Sequence, residues 1–417
     1  MKTLLFFILL SLGSVTFAQS WYQITVPADD NLNAIDFPSN DVGYIVGDSN
    51  LILKTTDGGQ NWTALDHQGM SIAFGTEILT DVEFVDESIG FVTLMTVGVF
   101  KTVDGGLNWT QIMNQSTNQC FPYSLHVFDE TNLLSGGADC FQGVTINHIN
   151  SGVWTVATVN YMTGNTQEIV KEFDFYDANI GLAAMRGRLM LRTIDGGQTW
   201  DTIPTGLSPT GFLTSVMMVD DQLCYAGYDE NGGGFGILVS YDGGLTWNQD
   251  GNSATFFYPA FLSVCHAANG DIYSGARSSN LGPGLIFETT DGTNWTIETV
   301  DQPIEDMETY ADDITFGIGD SGFVVVNIPP SQLGLMTNEL DVFKVYPNPT
   351  MDWITIENQD NLPYAYELFD TRGRSLMTLA ESNQVIHKMN LSGLKDGLYF
   401  LHRMNIHGSQ VVEIVKH

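Results

Sequence analysis

One short string recurs along this chain: TTDGGQNW from Thr55, TVDGGLNW from Thr102, TIDGGQTW from Thr193, SYDGGLTW from Ser240 and, one residue shorter, TTDGTNW from Thr289. A period of this size is the mark of stacked, repeated units and constrains the fold before any local reading does. The anchoring aspartates are Asp57, Asp104, Asp195, Asp242 and Asp291, separated by 47, 91, 47 and 49 residues. The 91-residue gap spans two periods, so one unit between Asp104 and Asp195 lacks its motif. Asn147 to Trp154 is read as its remnant, with Trp154 where the repeat expects tryptophan.

Each string follows an apolar, strand-like run such as LILK before Thr55 or LMLR before Thr193. A strand followed by Asp-Gly-Gly predicts a hairpin, because glycine takes the positive φ that a tight turn demands. The carboxylate can accept main-chain N–H groups of its own turn, helped by the Ser or Thr two residues earlier. The tryptophans (Trp62, Trp109, Trp200, Trp247 and Trp295) bury a large ring and leave an indole N–H to find a carbonyl. These residues therefore have a structural task in full, and the aspartates are expected to fold the chain rather than to catalyse.

The string resembles the Asp-box, or BNR repeat, of sialidases, sortilin-type receptors and photosystem II assembly-factor propellers. Over residues 19–328 the resemblance implies a β-propeller with the boxes at the outer part of each blade. A second pattern precedes the boxes: an aromatic strand, an acidic turn and a glycine-containing strand, at Ala34, Asp81 and Glu172, and more faintly at Ser124, Thr214, Ala260 and Asp312. Seven units result. The seventh, begun at Asp312, ends at Val326 without a fourth strand, whereas Trp21–Val26 resembles the strand that follows a box. The first strand is thus expected to complete the last blade and close the ring, removing exposed edges. The expected class is all-β: a seven-bladed propeller followed by a small C-terminal β-sandwich.

Residues 1–18 carry one lysine, the apolar run FFILLSL and small residues near their end, the pattern of a secretory signal peptide. The run is too short to span a bilayer, and no transmembrane segment is expected elsewhere. Formal charge is −34 for the chain; residues 19–328 hold 39 acidic against 7 basic side chains. So acidic a domain repels nucleic acid and anionic lipid. Cys120 and Cys140 flank one hairpin of the third unit and are placed to pair in an oxidising compartment, whereas Cys224 and Cys265 are read as buried thiols.

After a linker at 329–340, residues 341–417 alternate strands with Asn-Pro, Arg-Gly and Asp-Gly turns. The YPNP segment (Tyr346, Pro347, Asn348, Pro349), LFDTRGR with Gly373, LKDGLYF with Gly397, and Lys416 near the end resemble the type A C-terminal sorting domain of the Bacteroidetes type IX secretion system. That resemblance implies the secretion machinery as a partner and a place outside the cell or on the outer-membrane surface.

Sialidases clamp a carboxylate with three arginines from separate blades, but here Arg186, Arg188 and Arg192 crowd one unit and Arg277 stands alone. A different glycosidase needs only two carboxylates about 5 to 9 Å apart. Aligned on the recurring glycine, Asp36, Glu83, His126 and Asp174 precede the inner aromatic, and the favoured reading for each is a bond to a neighbouring blade's backbone. The alternative is a polar ring near one mouth of the channel, suited to a cation such as calcium or to a sugar hydroxyl. The favoured function is a non-enzymatic exported module binding protein or glycan, with an extracellular glycoside hydrolase as the second reading.

Overall fold

The computed structural model describes residues 21–70, 78–114, 121–139, 143–159, 169–208, 210–229, 235–249, 260–277, 283–292, 294–310, 313–328, 333, 344–357, 364–370, 374–382, 386–405 and 408–417. Residues 1–18, read from sequence as a signal peptide, Cys120, Cys140, Gly373 and the linker apart from Leu333 lie outside them. The chain divides into two compact units, Met1–Thr337 and Asn338–His417.

Among the described residues the first unit has seven sheets, each with four strands in an antiparallel meander, and the fourth sheet gains a short strand, Thr158–Val159, parallel to its outermost strand Thr199–Pro204. The first strands are Leu32–Asp36, Leu79–Phe84, Phe121–Asp129, Val170–Phe175, Phe212–Met218, Ala260–His266 and Ile304–Tyr310. Second strands such as Gly43–Gly47, Gly90–Leu94 and Gly181–Met185 are buried throughout, as expected of a strand with a sheet packed on each face. The ring closes through the first described strand: Tyr22–Ile24 pairs with Phe323–Val326, with Tyr22 opposite Val326 and Ile24 opposite Val324. Ile24 is buried with Phe316, Ile318 and Val326, and Trp21 packs edge-on to Tyr273 at 5.5 Å.

Two expectations need correction. The seventh unit does not begin at Asp312: Ile314–Gly319 is its second strand, and its first is Ile304–Tyr310. That strand, IEDMETY, is too polar to read as a strand because its acids face the channel. In the third blade Asn147 lies inside the strand Gly143–Asn150, and a two-residue turn at Ser151 and Gly152, both with positive φ, replaces the box. The Trp154 indole then donates to Ile112 O of the preceding blade instead of to its own turn.

The intact boxes join third to fourth strands and share one bonding scheme. Thr55 Oγ1 donates to Asp57 Oδ1 (2.8 Å) and accepts the Gly59 N–H (2.9 Å); Asp57 Oδ1 accepts the Asn61 N–H (2.9 Å). Indoles cap their own turns, from Trp62 Nε1 to Gly59 O (3.1 Å) and likewise at Trp109, Trp200 and Trp247. The shorter last box keeps the Asp291 bonds to Asn294.

The boxes also tie blade to blade. Tyr310 Oη donates to Gly58 O (2.7 Å), Lys54 Nζ to Gly105 O (3.2 Å) and Arg192 Nε to Gly243 O (2.8 Å), each from the preceding blade. Gly244, at φ 83°, would place a Cβ 2.6 Å from Leu182 of that blade, so both conformation and approach require glycine.

The tail has sheets of three strands (Lys344–Tyr346, Trp353–Glu357, Ile386–Asn390) and four (Tyr364–Asp370, Ser375–Ser382, Gly397–Asn405, Gly408–Lys416). They share one core containing Ile354, Tyr366, Leu368, Leu401 and Ile414, which makes a β-sandwich. Asn348 Oδ1 accepts the Val415 N–H, and Thr350 bonds both Val415 and His417, so the YPNP segment is fastened to the last strand. Lys416 is buried, its Nζ 3.6 Å from Asp396.

Ile24→Ala should lower stability by about 2–4 kcal/mol, the cost of a core cavity, measured as a shift of the denaturant midpoint. Gly244→Ala should cost more than Gly206→Ala: Gly206 has a similar φ of 79° but open space around it, leaving only the conformational cost of about 1 kcal/mol.

Candidate functional site

Each first strand is bonded to a second strand along one edge only, so its other edge turns N–H groups toward the propeller axis. Pairing slips by one residue near the start of every first strand, for example between Leu79 and Asp81, Val170 and Glu172, and Ile304 and Asp306. Counting from that slip gives two tiers. The residue after it is Ala34, Asp81, Ser124, Glu172, Ser215, Ser263 or Asp306, and two residues on stands Asp36, Glu83, His126, Asp174, Met217, Cys265 or Glu308. The four residues singled out from sequence thus occupy equivalent places in one tier, and all line a channel of 450 Å³.

Six of the seven channel acids accept a main-chain N–H from the first strand of the next blade. In the upper tier Asp81 accepts Leu125 N (2.6 Å), Glu172 accepts Val216 N (3.0 Å) and Asp306 accepts Ile35 N (3.1 Å). In the lower tier Asp36 accepts Phe84 N (2.9 Å), Glu83 accepts Val127 N (2.6 Å) and Asp174 accepts Met218 N. The Asp306 bond crosses the ring closure from blade seven to blade one. Spare oxygens of Asp81, Asp174 and Asp306 take the next N–H of their own strands.

Glu308 is the exception among the described residues. The amide in register with it, Phe37 N, is bonded to Asp36, and Glu308 receives no hydrogen bond. His126 stacks on Phe175 at 4.4 Å, with Nδ1 3.9 Å from Glu83. Burial lowers its pKa to about 4, so it is neutral at pH 7 and no ion pair forms.

Burial pushes Asp36 and Asp306 up to about 7 against the bonds from Phe84 and Ile35, with neighbouring acids adding to the rise. Burial likewise raises Asp81 and Asp174 to about 6 and Glu83, Glu172 and Glu308 well above the usual range. Lys171, bonded to Tyr123, opposes the rise at Asp81. These acids are half-buried, exposed only toward a channel that the protein encloses, so their charges repel through a poorly screened space. Among the described residues no three His, Cys, Asp or Glu side chains form a set that could hold a metal ion.

Asp81, Glu172, Asp306 and Glu308 were missed in the sequence. Their signal is the acid–x–acid spacing of DVE at 81–83, EFD at 172–174 and DME at 306–308. The box aspartates lie elsewhere, in surface turns. Bonds from the Asn108 side chain and backbone hold Asp104 below the usual range, and Asp195 and Asp242 are also lowered. Cys224 and Cys265 are separate buried thiols, and burial pushes Cys224 up to about 12.

Residues 344–417 match the family model for the secretion system C-terminal sorting domain, and residues 14–70 match that for the photosynthesis system II assembly factor YCF48. The chain is an Asp-box propeller carrying a secretion-system sorting domain. The sorting domain marks it for export, to the exterior or the outer-membrane surface. Among solved structures, the propeller resembles YCF48 bound to D1 peptide (TM-score 0.58, 16% identity, 75% of this chain and 98% of that one). YCF48 from Cyanidioschyzon merolae is similar (TM-score 0.56, 17% identity, 73% and 98%). So is the extracellular domain of the putative one-component system BT4673 from B. thetaiotaomicron (TM-score 0.51, 10% identity, 93% and 57%). At these identities the likeness is one of fold. No curated protein matches the chain.

The raised carboxyls set a pH dependence. A folded pKa above the unfolded one means that the folded state holds more protons, so stability is lost as pH rises from about 4 through about 7. Thermal midpoints should therefore fall from pH 5 to pH 8. Asp36→Asn with Asp306→Asn should flatten that slope, read by scanning calorimetry across the range.

Proposed function

We propose that this protein is an exported binding module whose propeller presents a rigid loop surface to a protein or glycan and performs no chemistry on it. The commitment of six channel acids to the backbone of the next blade carries this reading. A glycosidase needs one carboxyl free to donate a proton and a second free to act as base or nucleophile. Of the described channel acids Glu308 alone is unengaged, and its neighbours bond blade to blade. The arginines give no better support for a sialidase: Arg192 bonds Gly243 O and Arg277 pairs with Glu305 and Asp320.

Support for a protein ligand comes from the neighbour whose structure is described as bound to D1 peptide. Calcium is not part of the proposal, because six of the seven channel acids already have main-chain donors. The sorting domain is the proposed contact with the secretion machinery, and the mature propeller does its work outside the cell.

Incubating the full chain with a panel of polysaccharides and with soluble extracellular proteins tests the proposal. Retention of a ligand with no new reducing ends is expected, and Glu308→Gln should leave retention unchanged. Release of product sugars that Glu308→Gln abolishes would overturn it in favour of a hydrolase.

A further inference from the structure

Two positions of each box point to solvent: the residue before the aspartate and the one after the second glycine. Blade one fills them with Thr56 and Gln60, and blade six has Thr290 at the first, all exposed. The hydrogen bonds of the turn are the same whichever residues stand there, so the fold requires nothing apolar. Yet blade four exposes Ile194 (65%), and blade five exposes Tyr241 (65%) and Leu245 (51%). Blade two does the same with Val103 and Leu107.

The apolar tips of blades four and five are neighbours. Arg192, two residues before Ile194, reaches across to Gly243 O, two residues after Tyr241, and Gly244 rests against Leu182 of blade four. Exposed Tyr176 belongs to the same face, because the Gly196 N–H binds the Asn179 carbonyl in the turn that follows it. Around these side chains stand Asp177, Asp195, Asp220 and Asp242. Hydrogen bonds within their turns hold all four below the usual carboxylate range, so they are ionised. The Arg192 guanidinium is already turned to Gly243 O. An apolar surface fenced by fixed negative charge is complementary to apolar side chains interspersed with lysine or arginine. It is repelled by an anionic lipid surface.

We propose that the box turns of blades four and five dock a basic segment of a partner protein, its apolar side chains seated on Ile194, Tyr241 and Leu245. This rests on the reading of the propeller as a binding module and assigns that reading a face and a partner chemistry. The box aspartates then serve twice, folding each turn through their bonds and supplying the charge that steers the partner.

The test uses the full chain and two short synthetic peptides of equal charge, one alternating lysine with tryptophan and leucine, the other replacing the apolar residues by serine. At about 0.15 M salt, where surface charge is largely screened, the apolar peptide should bind at least about tenfold more tightly. Ile194→Ser with Tyr241→Ser and Leu245→Ser should erase that preference while the melting midpoint stays the same, since all three side chains are exposed. Equal affinity for the two peptides, or a preference that survives the triple variant, would overturn the proposal. Capture of a protein or glycan by another face in either case would leave the binding-module reading standing and remove only this one.

Discussion

The rest of the molecule depends on how seven inner strands dispose of their unpaired edges. A sheet's first strand in a propeller has no partner on the axis side, and its N–H groups there would otherwise rely on channel water. In six places a carboxylate from the preceding blade accepts one of them. Such a bond contributes about 0.5–1.5 kcal/mol while the acid is protonated and about 1.5–3 kcal/mol once it is ionised. Because donor and acceptor lie on successive blades, each bond also fixes the angle between two sheets. The bond from Ile35 N to Asp306 does so where the seventh blade meets the first.

Further out, at three of the seven junctions, a side chain of one blade donates to the first glycine carbonyl of the next blade's box. The inner circle gathers like charges in a narrow space and pushes their pKa values up. The box turns keep their own aspartates ionised by surrounding them with donors of the same turn in open solvent. One residue type thus serves two purposes, separated by burial. At the axis it costs stability as pH rises, whereas at the rim it holds a turn and a negative surface at any physiological pH.

The boxes were legible because their turn chemistry is local: glycines at positive φ, an acid two residues after a hydroxyl, a tryptophan that caps. Ring closure was legible from the missing fourth strand and the orphan strand at Trp21. The seventh inner strand was not, because IEDMETY lacks the apolar alternation that usually marks a strand, its polar face being turned to the channel. For the same reason the channel was half seen. Asp36, Glu83, His126 and Asp174 were found by alignment on a recurring glycine, but Asp306 and Glu308 lay on the strand that had been misplaced. For the four that were found, a bond to a neighbouring blade's backbone is the reading the sequence favours. Which amide each acid takes depends on the register between sheets, which no local pattern encodes. Blade three shows the converse, since a two-residue turn forms a blade as well as a box does, and Trp154 is reused as a contact to the blade before it.

Amide hydrogen exchange at Ile35, Phe84, Leu125 and Val216 tests the inner clasp most directly, because none of these N–H groups is held by its own sheet. The account predicts protection comparable to that of ladder amides in the second strands, with Ile35 exchanging faster in Asp306→Ala while Leu125 and Val216 stay protected. Rapid exchange of these four amides in the intact protein would contradict it.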